Sequence, residues 1–152
     1  MFLVKKNMID SSFNLIIPGT DVSPTISYNA SAGAYLIAGR SMPEDSVEFY
    51  ERILRWFEDW HKEILNEAGQ PTSVREHAFT FDMEYYNSAS GKYIFQMIEE
   101  IDKAHVAIDA LSGNPTVQIK LIWLYGEDDE FMHEAGEDMQ DVTEIEIEIK
   151  TR

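Results

Sequence analysis

The residues of this sequence best suited to chemistry are the hydroxyls of a short polar segment, Asn87-Ser88-Ala89-Ser90. The segment follows a strand pattern and precedes a helical one, which places it at the carboxyl edge of a predicted sheet, where functional groups collect in open α/β folds. Asn and Ser are preferred helix N-cap residues, so the local residues by themselves favour a cap. The alternative is a phosphoacceptor, because a phosphate there would meet free backbone N–H groups and the positive end of the helix dipole.

A second candidate is the sequence Glu130-Phe131-Met132-His133, with Glu137 one helical turn further on. Carboxylates and an imidazole on one helix face could hold a divalent ion. A single motif of this kind is a weak signal, since di-iron sites take ligands from several helices, and the pattern favours a solvated acidic face. We therefore predict no metal and no cofactor, with a small metal-dependent enzyme as the alternative.

The sequence lacks the common motifs for nucleotide binding and nucleophilic catalysis. Ser90-Gly91-Lys92 contains the Gly-Lys pair of a phosphate-binding loop, but Tyr86 stands where that loop needs another glycine. No serine lies in a GxSxG context, and the absence of cysteine excludes thiolate nucleophiles and cysteine-ligated zinc. We predict no catalytic residues. A hydrolytic enzyme stays as an alternative that would pair a serine with one of the four histidines, His61, His77, His105 or His133.

Length and composition are those of one folded domain. The chain has 152 residues, of which 44% are hydrophobic and 26% charged, and these fractions exclude a disordered or coiled-coil protein. No apolar run approaches the roughly 18 residues of a membrane span. The first residues are too mixed for a signal peptide, which needs an apolar run of about 7–15 residues. These features predict a cytoplasmic protein with no membrane partner.

The charge of the chain is strongly negative, since 28 Asp and Glu oppose 12 Lys and Arg and the net charge is -16. Eleven of the acidic residues lie between Glu127 and Glu148, a stretch without Lys or Arg. A negative field repels phosphate backbones, which makes nucleic acid a poor partner and a basic protein a good one. We expect four carboxylates to be exposed to solvent and to steer such a partner: Glu127, Asp128, Asp129 and Glu130.

Periodicity predicts five strands and three helices in the order β-β-α-β-α-β-α-β. The strands are 25–29, 34–40, 78–86, 116–125 and 143–150. The helices begin at 42–46, 87–90 and 129, and they end at 69–71, 113–115 and 140. The two long helices are crossovers, so we predict a single α/β domain with a mainly parallel sheet, right-handed connections and helices chiefly on one face. The domain spans 16–150, after an N-terminal arm of residues 1–15.

Alternating side chains predict which face of each strand is buried. Phe79, Phe81, Met83 and Tyr85 share one face of their strand, which indicates a half-buried strand. The run 116–125 is the most apolar strand, and we expect it at the centre of the sheet. The run 143–150 alternates strictly, with isoleucines facing the core and Glu144, Glu146 and Glu148 facing solvent, as suits an edge strand.

Several segments, taken in order, resemble one known family. They cover residues 16–150 and are Ile17-Pro18-Gly19-Thr20, Ser23-Pro24-Thr25-Ile26, Gly39-Arg40-Ser41-Met42-Pro43-Glu44-Asp45, Phe49-Tyr50, Trp56, Tyr85-Tyr86-Asn87-Ser88-Ala89-Ser90, Trp123-Leu124-Tyr125, Glu127-Asp128-Asp129-Glu130 and Glu134-Ala135-Gly136-Glu137-Asp138. This set resembles the SiaC-type bacterial regulatory phosphoproteins.

The resemblance implies a fold similar to the STAS-domain anti-sigma-factor antagonists and no catalytic activity. It implies a kinase that phosphorylates a hydroxyl and a phosphatase that restores it. In the unphosphorylated form such proteins bind a target, which in the best-known branch is a diguanylate cyclase that they activate. An acidic adaptor that no phosphorylation regulates is the alternative among binding proteins.

The family's phosphoacceptor is the hydroxyl residue directly after the Asn of an Asn-Thr-Ser-Ser motif, and here that position is Ser88. Serine replaces threonine at the acceptor, and Ala89 replaces the next serine. Ser90 is the backup acceptor. With the resemblance, we predict that Ser88 is a phosphoacceptor as well as a helix cap, and that Asn87, Ser88 and Ser90 bind the partner together with the four carboxylates of 127–130.

Overall fold

One sheet of six strands and three helices makes up the computed structural model, which describes residues 13–70, 75–111 and 116–152. The strands are β1 (Leu15–Ile17), β2 (Thr25–Asn29), β3 (Ala34–Ser41), β4 (Arg75–Tyr86), β5 (Val117–Tyr125) and β6 (Ile147–Thr151). The helices are α1 (Ser46–Ala68), α2 (Ser88–Asp109) and α3 (Glu130–Asp141).

The strands lie in the sheet in the same order as in the chain. β1, β2 and β3 pair antiparallel, whereas β3, β4, β5 and β6 pair parallel, each through a crossover that contains one helix. When successive crossover connections have the same handedness and move in the same direction across the sheet, their helices lie on the same face of the sheet. The predicted α/β domain, with a mainly parallel sheet and helices on one face, is confirmed.

Aromatic side chains dominate the core between the sheet and α1. Tyr28, Tyr35 and Phe79 of three adjacent strands are buried against Trp60 and its neighbour Phe57. The helices are amphipathic, with polar residues on the face away from the sheet. None of the helices in the described ranges is apolar over enough of its length to cross a bilayer.

The alternation of β4 breaks near its carboxyl end. Gly39 pairs with Met83, but the next residue of β3, Arg40, pairs with Tyr85, so that β4 carries one extra residue in a β-bulge. Phe79, Phe81 and Met83, the members of the predicted face that precede the bulge, are buried as predicted. Tyr85 is instead 42% exposed, and Tyr86 packs against the core. The prediction for Tyr85 was wrong because the bulge shifts the alternation by one residue.

The two carboxyl-terminal strands also differ in part from the expectation. β5 lies between β4 and β6, one place from the edge of the sheet, so the prediction of a central position was wrong. β6 is an edge strand as predicted, but it begins at Ile147 instead of 143. The backbone N–H groups of Glu144 and Ile145 donate to the carboxylate of Asp102 in α2, at 3.0 and 2.8 Å. These two N–H groups are therefore not available for hydrogen bonds with β5.

Both ends of the domain extend beyond the predicted bounds. The Trp56 indole N–H donates to the backbone oxygen of Phe13 at 2.6 Å, and Asn14 accepts a bond from the backbone N–H of Ala30. The predicted boundary between 15 and 16 therefore lies inside β1, and the predicted end at 150 lies inside β6. Residues 1–12 of the predicted arm, and the predicted helix stops at 71 and 113–115, lie outside the described residues.

Candidate functional site

The candidate site lies at the edge of the sheet where the parallel strands end and all three helices begin. Each helix starts with a side-chain cap: Asp45 for α1, Asn87 for α2 and Asp129 for α3. In open α/β sheets this edge is where ligands and partners bind. The polar segment identified in the sequence occupies the middle of this edge, because β4 lies between β3 and β5.

Ser88 is the first residue of α2, and it is exposed to solvent. The sequence pattern placed this segment at the start of a helix, which the structure confirms, and the exposure of Ser88 leaves its hydroxyl open to solvent. The cap itself is Asn87, which has extended backbone angles and accepts a hydrogen bond from the backbone N–H of Ser90 through Oδ1, at 2.9 Å. The prediction that Ser88 is also the cap was wrong, because the capping position falls one residue earlier.

Ser90 is fully buried, in contrast to Ser88. Its hydroxyl accepts a hydrogen bond from the hydroxyl of Ser41 at 2.8 Å, and Ser41 in turn lies 2.6 Å from the hydroxyl of Tyr50. Burial raises the pKa of Tyr50, although the hydrogen bonds with Ser41 and Ser90 oppose the rise. Neither a kinase nor a partner protein can reach a hydroxyl at this depth while the protein is folded, so the structure gives no support to Ser90 as the backup acceptor or as a partner-binding residue.

Ser41 holds the segment that carries Ser88 from both sides. Its backbone oxygen accepts a bond from the N–H of Asn87 at 3.0 Å, and its hydroxyl bonds to Ser90. The end of β3, the second turn of α1 and the first turn of α2 are thereby joined. Sequence reasoning assigned no role to Ser41 or Tyr50. Both residues lie in segments that resemble the family, and Tyr50 also lies on the apolar stripe that the sequence predicts for its helix.

The acidic segment that follows β5 is mostly exposed. Glu127, Asp128 and Glu130 face solvent, as expected from the sequence. Asp129 is half-buried, because its carboxylate accepts a bond from the backbone N–H of Met132 at 3.0 Å and caps α3. The expectation of full exposure was therefore wrong for Asp129. The other three carboxylates present free negative charge beside the start of α3.

Two aromatic residues to which the sequence reasoning gave no role in the site lie next to each other near this segment. The ring of Tyr86 packs over Gly91, where a Cβ atom would come within 2.9 Å of Cε1. Phe131 of α3 is 63% exposed, and its ring centroid lies 6.1 Å from that of Tyr86. Burial raises the pKa of Tyr86, and the carboxylate of Asp138 adds to the rise. The signal for Phe131 was an apolar residue off the buried stripe of a short helix.

The motif considered for a metal ion does not form a cluster. His133 stacks on the ring of Tyr125, with centroids 4.6 Å apart, and its Nε2 lies 4.0 Å from the carboxylate of Glu137. Across the described ranges, no group of three or more His, Asp and Glu side chains is close enough together to hold a metal ion.

His77, the most deeply buried of the four histidines, lies at the opposite edge of the sheet. His77 bonds to the Tyr35 hydroxyl at 2.7 Å and to the Glu67 carboxylate at 3.0 Å. Both contacts join secondary-structure elements inside the core, and no serine takes part in them. The geometry therefore favours a structural role for His77.

Comparison with known proteins places this geometry in a family. A family model described as the SiaC family regulatory phosphoprotein matches residues 17–152. An uncharacterised protein of Pseudomonas aeruginosa strain UCBPP-PA14 is 26% identical over 128 residues, which cover 84% of this chain and 88% of that protein.

Solved structures of SiaC from Pseudomonas aeruginosa have the same fold. The apo form is 24% identical with a TM-score of 0.68, over 90% of this chain and 98% of the other. SiaC in complex with the diguanylate cyclase SiaD, whose activator it is, is 24% identical with a TM-score of 0.71, over 91% and 100%. With the family model spanning nearly the whole chain and the same fold in these structures, this chain belongs to the SiaC family of regulatory phosphoproteins, and it is a regulator rather than an enzyme.

Proposed function

We propose that this chain is a switch protein whose phosphoacceptor is Ser88. A kinase adds the phosphate, a phosphatase removes it, and the unphosphorylated form binds and regulates a diguanylate cyclase. The observation that carries the proposal is an exposed hydroxyl on the first residue of α2, in a family of regulatory phosphoproteins. The class of target is supported by the complex of Pseudomonas aeruginosa SiaC with the cyclase SiaD.

The surroundings of Ser88 can accept a phosphate with little strain. The first N–H groups of a helix have no partner within the helix, and its dipole is positive at that end. The first turn of α2 contains no acidic residue, whereas the first turns of α1 and α3 contain Glu48 and Glu130. The segment is also anchored by Asn87 and Ser41, so the phosphate has no need to move the backbone.

The main effect of the phosphate therefore falls on the partner. A phosphate adds about -1.5 to -2 charges to a surface that otherwise presents a neutral hydroxyl. Burying that charge in an interface costs desolvation energy, and it repels any acidic group of the partner that faces Ser88. Phosphorylation then weakens binding while the fold stays intact.

The exposed carboxylates beside this edge have a separate role in the proposal. Glu127, Asp128 and Glu130 lie next to the start of α3 without Lys or Arg in their own segment. Charges of this kind increase the association rate with a basic partner, and salt screens them over about 8–10 Å. We expect the association rate to fall at least severalfold between low and physiological salt. A rate that does not change with ionic strength would contradict steering.

Intact-mass measurement after incubation with ATP and the candidate kinases of the same genome tests the switch directly. Wild type and Ser90→Ala should gain one phosphate, and Ser88→Ala should gain none. Binding of the cyclases of that genome is then compared for Ser88→Ala and Ser88→Asp. Ser88→Ala should bind as wild type does, and Ser88→Asp should bind more weakly, because Asp places a negative charge at the acceptor position.

Two results would contradict the proposal. The first is the absence of a phosphate on Ser88 with every kinase tested, together with unchanged cyclase binding by Ser88→Asp, which would indicate an unregulated adaptor. The second is tighter cyclase binding by Ser88→Asp, which would show that a cation of the partner faces this position.

A further inference from the structure

A groove between the end of β4 and the outer face of α3 lies beside the proposed phosphorylation site. It is lined by Tyr86, Phe131, Glu134, Ala135, Asp138 and Met139, and we call it the aromatic–acidic groove. Its volume is about 190 Å³. Pockets for small-molecule ligands hold about 300–1,000 Å³, so this groove has room for one large side chain rather than for a cofactor.

The walls of the groove combine two aromatic rings with two carboxylates. The rings of Tyr86 and Phe131 are 6.1 Å apart and inclined at 57°. Glu134 and Asp138 lie one helical turn apart on the same exposed side of α3. Within the part of the chain that the structure describes, neither carboxylate forms an ion pair. Ala135 and Met139 supply an apolar floor.

This combination of groups fits an arginine side chain. A guanidinium stacks on aromatic rings and donates to carboxylates in its own plane, and its methylene stem suits an apolar floor. Arginine is also among the residues that contribute most to binding at protein interfaces. The segment from Glu127 to Glu148, which contains α3, carries eleven acidic residues and no Lys or Arg, so its charge complements that of a basic partner.

The groove lies close to Ser88 in the chain, because Tyr86, which forms one of its walls, stands two residues before Ser88. The Tyr86 ring that forms its wall contacts Gly91, three residues after Ser88. Residues three apart lie on the same face of a helix. A protein interface of standard size, about 800 Å² on each partner, that covers Ser88 is therefore large enough to include the groove.

We infer that the aromatic–acidic groove receives an arginine side chain of the target protein that Ser88 regulates. The inference rests on the proposed function, and it adds an anchoring contact that is distinct from the phosphorylated residue.

Binding of the cyclase to four single variants tests the inference. Phe131→Ala and Asp138→Asn each remove one wall of the groove, and we expect each to raise Kd at least about tenfold. Asp141→Asn, at the last residue of α3, and Val142→Ala, at the next residue, are matched controls because both side chains are exposed. Each should change Kd less than about twofold. The thermal midpoint of each variant checks that the fold is intact.

The double variant Phe131→Ala/Asp138→Asn decides what occupies the groove. If one guanidinium contacts both residues, the two losses are coupled, and the double variant binds better than the product of the single effects predicts. If Phe131→Ala weakens binding while Asp138→Asn has no effect, the anchor is apolar and the inference is wrong. If neither variant changes Kd, the target does not use the groove.

Wild-type binding separates the inference from the proposed function. If wild type binds no cyclase of its genome, the proposed function fails and the inference falls with it. If wild type binds and the two groove variants bind equally well, only the inference fails.

Discussion

The identity of the residue that caps α2 leads to a clear prediction about stability. Asn87→Ala removes the oxygen that accepts the backbone N–H of Ser90 at 2.9 Å. Loss of an N-cap costs about 0.5–2 kcal/mol, and here the residue that loses its acceptor is buried. Water therefore replaces the lost bond poorly, and we expect the upper half of that range, about 1–2 kcal/mol.

Two companion variants make the prediction specific. Ser88→Ala should change the free energy of unfolding by less than about 0.5 kcal/mol, because Ser88 is exposed and alanine is a good helix former. Asn87→Asp keeps the accepting oxygen and adds a negative charge at the helix N-terminus, so we expect stability equal to or above that of wild type.

Urea unfolding followed by circular dichroism measures these differences at pH 7. In a chain of this size, 1 kcal/mol corresponds to a thermal shift of about 2–4 °C, so heating gives an independent check. The slopes of the urea transitions should agree among the variants. The assignment is refuted if Ser88→Ala loses as much stability as Asn87→Ala, since Ser88 would then be the cap.

Three further predictions concern the core and the opposite edge of the sheet. Gly136→Ala should lower stability by about 1–3 kcal/mol, although alanine normally favours a helix, because its Cβ atom would come within 2.6 Å of the Trp123 ring. Arg75→Met should lower stability by about 1–3 kcal/mol, because it removes the guanidinium 2.9 Å from the buried carboxylate of Glu67, while the contact of that carboxylate with His77 stays in place. Burial raises the pKa of Tyr28 well above its ordinary value, with a smaller contribution from another tyrosine. The unfolded chain therefore loses this proton first, and stability falls as the pH rises above about 10. In Tyr28→Phe that fall should be shallower by up to about 1.4 kcal/mol per pH unit, as measured by urea unfolding between pH 8 and pH 11.

Each of these predictions has a matched control or a contradicting result. Gly69→Ala should be nearly neutral, because the nearest atoms to its Cβ position lie 3.7 Å away. Arg55→Met removes an exposed pair with Glu51 and should cost no more than about 1 kcal/mol. An equal loss for Arg55→Met and Arg75→Met would show that burial of the pair is unimportant. For Tyr28→Phe, a pH dependence identical to that of wild type would contradict the argument.

Local patterns in the sequence were enough for most of the secondary structure. β2 was predicted at its observed bounds, and each helix was located within a few residues, because apolar periodicity and capping residues act over one or two turns of chain. The position of the candidate site was also available. A strand pattern that ends at Asn87 and a helix pattern that follows it place Ser88 at the carboxyl edge of the sheet.

The alternation of a strand, in contrast, can be overruled by its neighbour. Tyr85 belongs to the buried set by pattern, but the register between β3 and β4 introduces a bulge that turns it toward solvent. The start of β6 shifted for a related reason, since Asp102 of α2 takes two of the N–H groups that a longer strand would have used. No local signal reports such competition.

The sequence by itself determined the family, the order of the elements and the position of the Asn87–Ser90 segment at the start of a helix, since all three depend on residue types and short spacings. Only the tertiary structure decided which of two serines is accessible. Ser88 and Ser90 are equivalent as residue types, but Ser90 bonds to Ser41, which lies 49 residues earlier in the chain. The tertiary structure also brings Tyr86 of β4 next to Phe131 of α3. Contacts between residues so far apart form only when the sheet assembles, because strand pairing and helix packing bring those residues together, and no periodicity within one segment records them.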